Sequence, residues 1–168
     1  ALQDHHLEVG SYSLLTLHRP YNVDDPEGLH RILEGLDSLG QLIVFPVHPR
    51  TRKVIASMGH HDFKNISYIA PQGYLDFLAL LQGARMVITD SGGIQKEAYI
   101  LEKSCVTLRP ETEWAETVSS GWNMLLPVES ELFPRAISAF QVPEQHPDIF
   151  GTDVAKRIGA LLDAMASR

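Results

Sequence analysis

From residue 11 onward, short apolar runs alternate with longer stretches in which apolar residues recur every three or four positions. The first pattern reads as strand and the second as amphipathic helix. Ser11 to Leu17 predicts a strand, closed by His18-Arg19-Pro20. Asp24-Asp25-Pro26-Glu27 then has the marks of a helix start: an Asp cap, a proline in the first turn and an acid near the positive helix end. Leu29, Ile32, Leu33, Leu36 and Leu39 follow at helical spacing, and Gly40 ends the run. Leu42 to Val47 is apolar throughout, as a strand covered on both faces should be, and a short helix is expected from Thr51 to Met58.

The alternation continues. Ile66 to Ile69 predicts a strand, and Tyr74 to Gln82 a helix with Leu75, Leu78 and Leu81 on one stripe. Met86 to Thr89 is the next strand, leading through Asp90-Ser91-Gly92-Gly93 into a helix that runs to Leu101. A strand over Cys105 to Leu108, a polar loop from Arg109 to Glu113 and a short helix ending near Gly121 follow. Met124 to Leu126 predicts the last strand, and helices around Glu129–Phe140 and Thr152–Ala166 close the chain. Strands alternating with helices imply right-handed crossovers and a parallel sheet. The expected fold is a doubly wound, three-layer α/β domain with a six-stranded parallel sheet in the order 3-2-1-4-5-6.

Such a sheet binds ligands outside the carboxyl ends of its strands, where the strand order reverses. In this order the reversal lies between the first and fourth strands. Their exits are His18-Arg19-Pro20-Tyr21-Asn22 and Asp90-Ser91-Gly92-Gly93-Ile94-Gln95, distant in sequence but brought together by the topology.

Composition narrows the class. A chain of 168 residues is the size of one domain, taken here as residues 1–168. With 44% hydrophobic and 21% charged residues it has an ordinary globular balance. Lys plus Arg is 14 against 21 for Asp plus Glu, and the net charge of −7 argues against a nucleic-acid partner. The lone cysteine, Cys105, excludes an intrachain disulfide framework and fits a reducing compartment, so a cytoplasmic location is expected. No apolar run approaches the roughly 20 residues of a membrane span. The chain opens on Ala1 rather than Met, which suggests a processed or excised piece.

Ser91-Gly92-Gly93 has the features of an anion site. Two glycines let backbone N–H groups approach an oxygen, and a following helix adds unpaired donors and a positive dipole end. A plain strand-to-helix turn with a Ser cap is the bland alternative. The pattern is not G-x-G-x-x-G, so a dinucleotide site is disfavoured. Glu97, near the start of the same helix, reads either as a complement to the helix dipole or as an acceptor for a vicinal diol such as a ribose. His18 at a strand exit is a candidate acid, base or phosphate donor, with a structural role as the alternative; His48 has the same two readings. Phe77 is core by pattern, although the loop before its helix faces the ligand side and makes it a candidate platform for a base. The doublets His5-His6 and His60-His61 have no second ligand pair at metal spacing, so no metal is expected. Cys105 reads as a small buried hydrophobe.

Several of these residues fall in motifs that resemble one family. Thr16-Leu17-His18-Arg19 with Asn22 is similar to the T-x-H-R-x-E-N signature of the non-hydrolysing UDP-N-acetylglucosamine 2-epimerases. Pro46-Val47-His48-Pro49 resembles their P-x-H-P segment, and Thr89 to Ala98 their T-D-S-G-G-I-Q-E-E-A stretch. Leu108-Arg109 through Thr112-Glu113 resembles their L-R-x-x-T-E-R-P-E loop. The order of the motifs also matches, between residues 11 and 126.

The resemblance implies the C-terminal, nucleotide-binding half of a two-domain glycosyltransferase-B-like architecture, with the N-terminal half absent. It implies that Ser91, Gly92 and Gly93 receive the phosphates of UDP, Glu97 the ribose and Phe77 the uracil. His18 matches the catalytic histidine near the diphosphate. Arg19 and His48 match residues that contact an allosteric UDP-sugar in bacterial members. The implied partners are UDP, UDP-acetamido sugars, the N-terminal half and, for the whole protein, a second copy; no cofactor is implied. The implied reaction inverts C2 of the sugar by eliminating UDP and adding it back, in a pathway of cell-envelope polysaccharide synthesis. Tyr21, Lys96 and Trp114-Ala115 depart from the family pattern, where Glu, Glu and Arg-Pro stand, and a T-E-W variant resembles a subgroup acting on diacetamido uronic acid UDP-sugars. The alternatives are the matching half of a glycosyltransferase and a non-catalytic nucleotide-sugar-binding module.

Overall fold

A computed structural model of the chain describes residues 2–59, 63–128 and 133–151. Its strands are β1 (Ser13–Thr16), β2 (Ile43–Pro46), β3 (Ile66–Ile69), β4 (Met86–Thr89), β5 (Ser104–Thr107) and β6 (Asn123–Leu125). They form one six-stranded sheet in the order β3-β2-β1-β4-β5-β6, and every pairing is parallel. The doubly wound α/β arrangement expected from the alternation is the one adopted. Its switch point lies between β1 and β4, whose register runs from Ser13 opposite Met86 to Thr16 opposite Thr89.

The helices are α1 (Pro20–Val23), α2 (Pro26–Asp37), α3 (Pro49–Ser57), α4 (Tyr74–Gly83), α5 (Gly92–Ile100), α6 (Ala115–Ser119) and α7 (Phe133–Ala139). Alternate strand residues feed two apolar layers, as the pleat requires. Leu15, Ile43, Phe45, Ile88 and Val106 join Leu29, Ile32, Leu33 and Leu36 of α2 and Phe133 and Ile137 of α7 on one face. Leu14, Val44, Val87 and Cys105 join Leu80 and Leu81 of α4 and Ala98 of α5 on the other. β1 and β4 are buried along their whole length because both faces are covered. Each fully buried Leu or Ile of this kind contributes about 1.5–3 kcal/mol, so the two strands whose exits meet at the switch point are firmly seated.

The local signals act as their chemistry suggests. Asp25 caps α2, its carboxylate accepting from the amides of Glu27 and Gly28, with Pro26 in the first turn. Beyond the end of α2, Gly40 takes a φ of +65°, which a β-carbon would disfavour.

Some expectations are corrected. The exit of β1 carries a helical turn that the apolar pattern does not predict: Pro20 starts the single turn of α1, and Asn22 within it is buried. The third helix begins at Pro49 rather than Thr51, because His48 caps it through Nδ1, which accepts from the Arg50 amide at 3.3 Å. The apolar stripe of α4 is displaced: Leu75 is 79% exposed while Leu80 and Leu81 are buried, since the helix rolls its C-terminal turns onto the sheet. Glu97 lies in the second turn of α5, and that helix has no acid in its first turn. The helix expected over Thr152–Ala166, residues 129–132 and the His60-His61 doublet lie outside the described residues.

Cys105 sits in the centre of β5, and burial pushes its thiol up to about 12. The folded protein is therefore expected to resist a thiol-specific reagent at pH 8, because reactivity requires thiolate. One thiol per chain should appear on denaturation. Full labelling of the native protein at the rate of a free cysteine would contradict this placement.

Candidate functional site

The exits of β1 and β4 are tied together at the switch point. Thr16 and Thr89 share a hydrogen bond between their Oγ1 atoms at 2.6 Å, and Thr89 Oγ1 also accepts from the Ser91 amide at 3.0 Å. The next residue, Asp90, is completely buried. Its carboxylate accepts from the backbone amides of His18 (3.1 Å) and Arg19 (2.9 Å) and from Asn22 Nδ2 (3.1 Å). Asn22 Nδ2 also donates to Leu108 O at 3.1 Å, which brings the exit of β5 into the same knot. A buried carboxylate is tolerated only where donors replace its lost water, and here two amides and a side-chain amide do so.

His18 extends this arrangement. Its Nδ1 lies 3.0 Å from Asp90 Oδ1 while its ring is half exposed, at 52%. A carboxylate only accepts, so Nδ1 carries the hydrogen and Nε2 is left facing away from Asp90. An imidazole so oriented offers Nε2 as an acceptor when neutral and as a proton donor when charged. Arg19 Nε donates to the Asp90 carbonyl at 3.3 Å.

Across the switch point, Ser91 takes the N-cap position of α5 with extended backbone but makes no side-chain cap bond. The first amides of a helix have no intrahelical partner, so this turn presents donors rather than consuming them. The bland expectation of a Ser-capped turn is thus corrected. The turn is held from below by Gln95, which is buried. Gln95 Nε2 donates to the Ser91 carbonyl at 3.2 Å, and its Oε1 accepts from Thr112 Oγ1 (2.6 Å) and Asn123 Nδ2 (3.1 Å). Asn123 Oδ1 accepts from Thr107 Oγ1 at 2.7 Å. This chain of bonds fixes the loop Arg109–Glu113 beside the glycine turn.

Glu97 points toward the start of α4, where Tyr74 Oη is 3.4 Å from its Oε1. Phe77, one turn further along α4, is half-buried against the layer that contains Ala98 and Leu80. Glu97 and Phe77 therefore belong to one corner, linked by Tyr74, which is itself exposed. Arg19 and His48 follow the neighbouring strands β1 and β2, with His48 engaged as the cap of α3. A cavity of about 290 Å³ opens beside the knot, lined by Arg19, Tyr21, Asn22 and Arg109 among others. Neither His18 nor Ser91 lines that cavity, although both stand at the same end of the sheet. Among the described residues, no cluster of three or more His, Cys, Asp or Glu gathers as a metal site would.

The family model described as UDP-N-acetylglucosamine 2-epimerase matches residues 2–160. The chain belongs to that family. It is 41% identical over 143 residues to a UDP-N-acetylglucosamine 2-epimerase homolog of Methanococcus maripaludis, covering 83% of this chain and 40% of that protein. It is 46% identical over 119 residues to the UDP-2,3-diacetamido-2,3-dideoxy-D-glucuronate 2-epimerase of Pseudomonas aeruginosa, covering 68% of this chain and 33% of that protein. Among solved structures, the Methanocaldococcus jannaschii UDP-GlcNAc 2-epimerase in complex with UDP-GlcNAc and UDP superimposes with a TM-score of 0.81 at 38% identity. That match covers 93% of this chain and 46% of the other. The chain thus spans less than half the length of these relatives.

Sequence reasoning about this epimerase-family chain missed Asp90, Gln95 and Asn123 as organising residues. The signal was partial: Asp90 directly follows the apolar strand β4 and Asn123 opens β6, where an unpaired polar group would be costly, whereas Gln95 lies within α5. Replacing Asp90 by Asn turns one acceptor oxygen into a donor that faces the amides of His18, Arg19 or the Asn22 side chain. The variant is expected to lose about 1–3 kcal/mol of stability, the cost of a buried group left unpaired. Urea unfolding of D90N beside a Glu111→Gln surface control measures it, and equal midpoints would remove Asp90 from this role.

Proposed function

We propose that this chain is the UDP-binding part of an isomerase that inverts C2 of a UDP-acetamido sugar. The reading is supported by family membership. It is carried by one observation: the uncapped Ser91-Gly92-Gly93 turn stands beside His18, whose imidazole is oriented by Asp90. Free amides at a helix start suit a phosphate, and the dipole favours its charge. In this assignment Ser91, Gly92 and Gly93 hold the diphosphate. Glu97 accepts from the ribose hydroxyls in place of the Tyr74 hydroxyl, and Phe77 lies beneath the uracil.

The chemistry follows from what the bound group must do. A base removes the proton from C2, the C1–O bond breaks, and its electron pair leaves on UDP as C1=C2 forms. Re-addition of UDP to C1 with protonation of C2 from the opposite face gives the epimer. Negative charge grows on the diphosphate as the bond breaks, and donors fixed in advance around that charge lower the barrier. His18 Nε2 is the group on this chain that delivers a proton to the leaving oxygen. The base at C2 is assigned to a further half of the kind its longer relatives carry. UDP-N-acetylglucosamine and the diacetamido uronic acid analogue named by the Pseudomonas relative are the two substrate chemistries this predicts.

Two outcomes test the reading. The 168-residue chain should bind UDP but not interconvert UDP-N-acetylglucosamine and its C2 epimer. Calorimetric titration and a coupled isomerase assay address the two halves of that statement. Absence of UDP binding, or turnover by this chain alone, would overturn it. Glu97→Gln loses charge and half the acceptor capacity, so UDP binding should weaken roughly tenfold, equivalent to about 1.4 kcal/mol. The preference for UDP over its 2′-deoxy analogue should shrink with it. A mutant that binds both as wild type does would leave Glu97 without a ribose role.

A further inference from the structure

A carboxylate of the chain itself lies against the glycine turn at Gly92. A β-carbon built on Gly92 would collide with Oε1 of Glu113, so that carboxylate oxygen rests against the backbone of the glycine turn. At Gly93 the same space is empty. Glu113 comes from the loop after β5, which the Thr112–Gln95 hydrogen bond pins beside α5. Its Oε2 accepts from Arg109 Nη1 at 2.8 Å. Arg109 is only 13% exposed in its side chain, whereas Glu113 is 49% exposed. The cation is therefore held in place and the carboxylate is free to swing outward.

We infer that Glu113 is an internal competitor for the anion seat, and that ligand phosphate displaces it and takes over Arg109. The inference rests on the proposed UDP reading for the identity of the ligand. Three features support it independently. The contact at Gly92 is made by the far end of a flexible side chain, so vacating the seat requires rotamer changes rather than backbone movement. A carboxylate and a phosphate oxygen make the same demands on backbone N–H groups and on a guanidinium fork. Finally, the surroundings favour the charged carboxylate: a hydrogen bond from its own backbone amide, together with Arg109 and the more distant charge of Arg19, holds Glu113 below the usual carboxylate range. Arg109 thereby becomes a diphosphate-binding residue that is kept oriented, and kept neutralised, until ligand arrives. A seat occupied part of the time lowers apparent affinity by the fraction of molecules in which it is open.

Titrations of inorganic pyrophosphate and of UDP into wild type, Glu113→Ala, Glu113→Gln and Arg109→Gln test this. Removing the competitor should tighten pyrophosphate binding by about three- to tenfold in Glu113→Ala, with Gln in between because it keeps the reach without the charge. Arg109→Gln should weaken it. Pyrophosphate affinity that is unchanged or weaker in both Glu113 variants would overturn the inference, and so would an Arg109→Gln variant that binds like wild type. Pyrophosphate binding that responds as expected while UDP gains nothing over it would leave the competitor in place and remove the nucleotide reading instead.

Discussion

A single buried carboxylate sets the geometry on which the rest of the site depends. Asp90 follows β4 at the point where the strand order reverses, and it collects the amides of His18 and Arg19 after β1 and the side chain of Asn22. Two parallel strands related by a crossover have no covalent reason to present their exits in a fixed relation. The packed sheet brings them within reach, and Asp90 then fixes them at hydrogen-bond precision. Removing the charge from water is costly, so the arrangement persists only while all its donors are present. The same requirement that makes the residue expensive makes it specific: any displacement of the β1 exit leaves a buried carboxylate with an empty lone pair.

The consequence for chemistry is a division of labour around the switch point. Asp90 orients the His18 imidazole through Nδ1, while Gln95 and Thr112 orient the glycine turn and the loop beside it. Neither network spends the amides at the start of α5. A helix start without a side-chain cap is a local loss of stability, since a cap of the usual kind is worth about 1 kcal/mol. The packing of both sheet faces offsets it, and the uncapped donors remain available to an anion.

The architecture was legible because it follows from periodicity. Continuous apolar runs such as Leu42 to Val47, separated by helical stripes, admit few topologies once crossovers must be right-handed. The motif residues His18 and Ser91 could be placed at one end of the sheet for the same reason. What could not be read were features set by side-chain reach. The α4 stripe failed because Leu75 and Leu81 share a spacing but not a neighbour: the sheet lies under the C-terminal turns only. Asp90 was visible as part of a polar turn, yet its burial depends on Asn22 folding back in α1, and nothing in the spacing announces that turn. Glu113 reaching Gly92 is likewise a property of a loop fixed by Gln95, two elements away.

Two of the departures from the family pattern meet in space. Lys96 Nζ lies 5.0 Å from the centroid of the Trp114 ring and 4.8 Å from that of Phe150. The motif resemblance puts an acid at the first of these positions and an arginine at the second, so the charge differs here at both. Here a cation faces aromatic rings, which attract it through their quadrupoles. In this chain the contact between α5 and the loop is made by a cation against aromatic rings. On the same loop Arg109 is held by Glu113. The departures change the charge that borders the site, while the knot that orients it is built on His18, Arg19, Asn22 and Asp90 and involves neither residue.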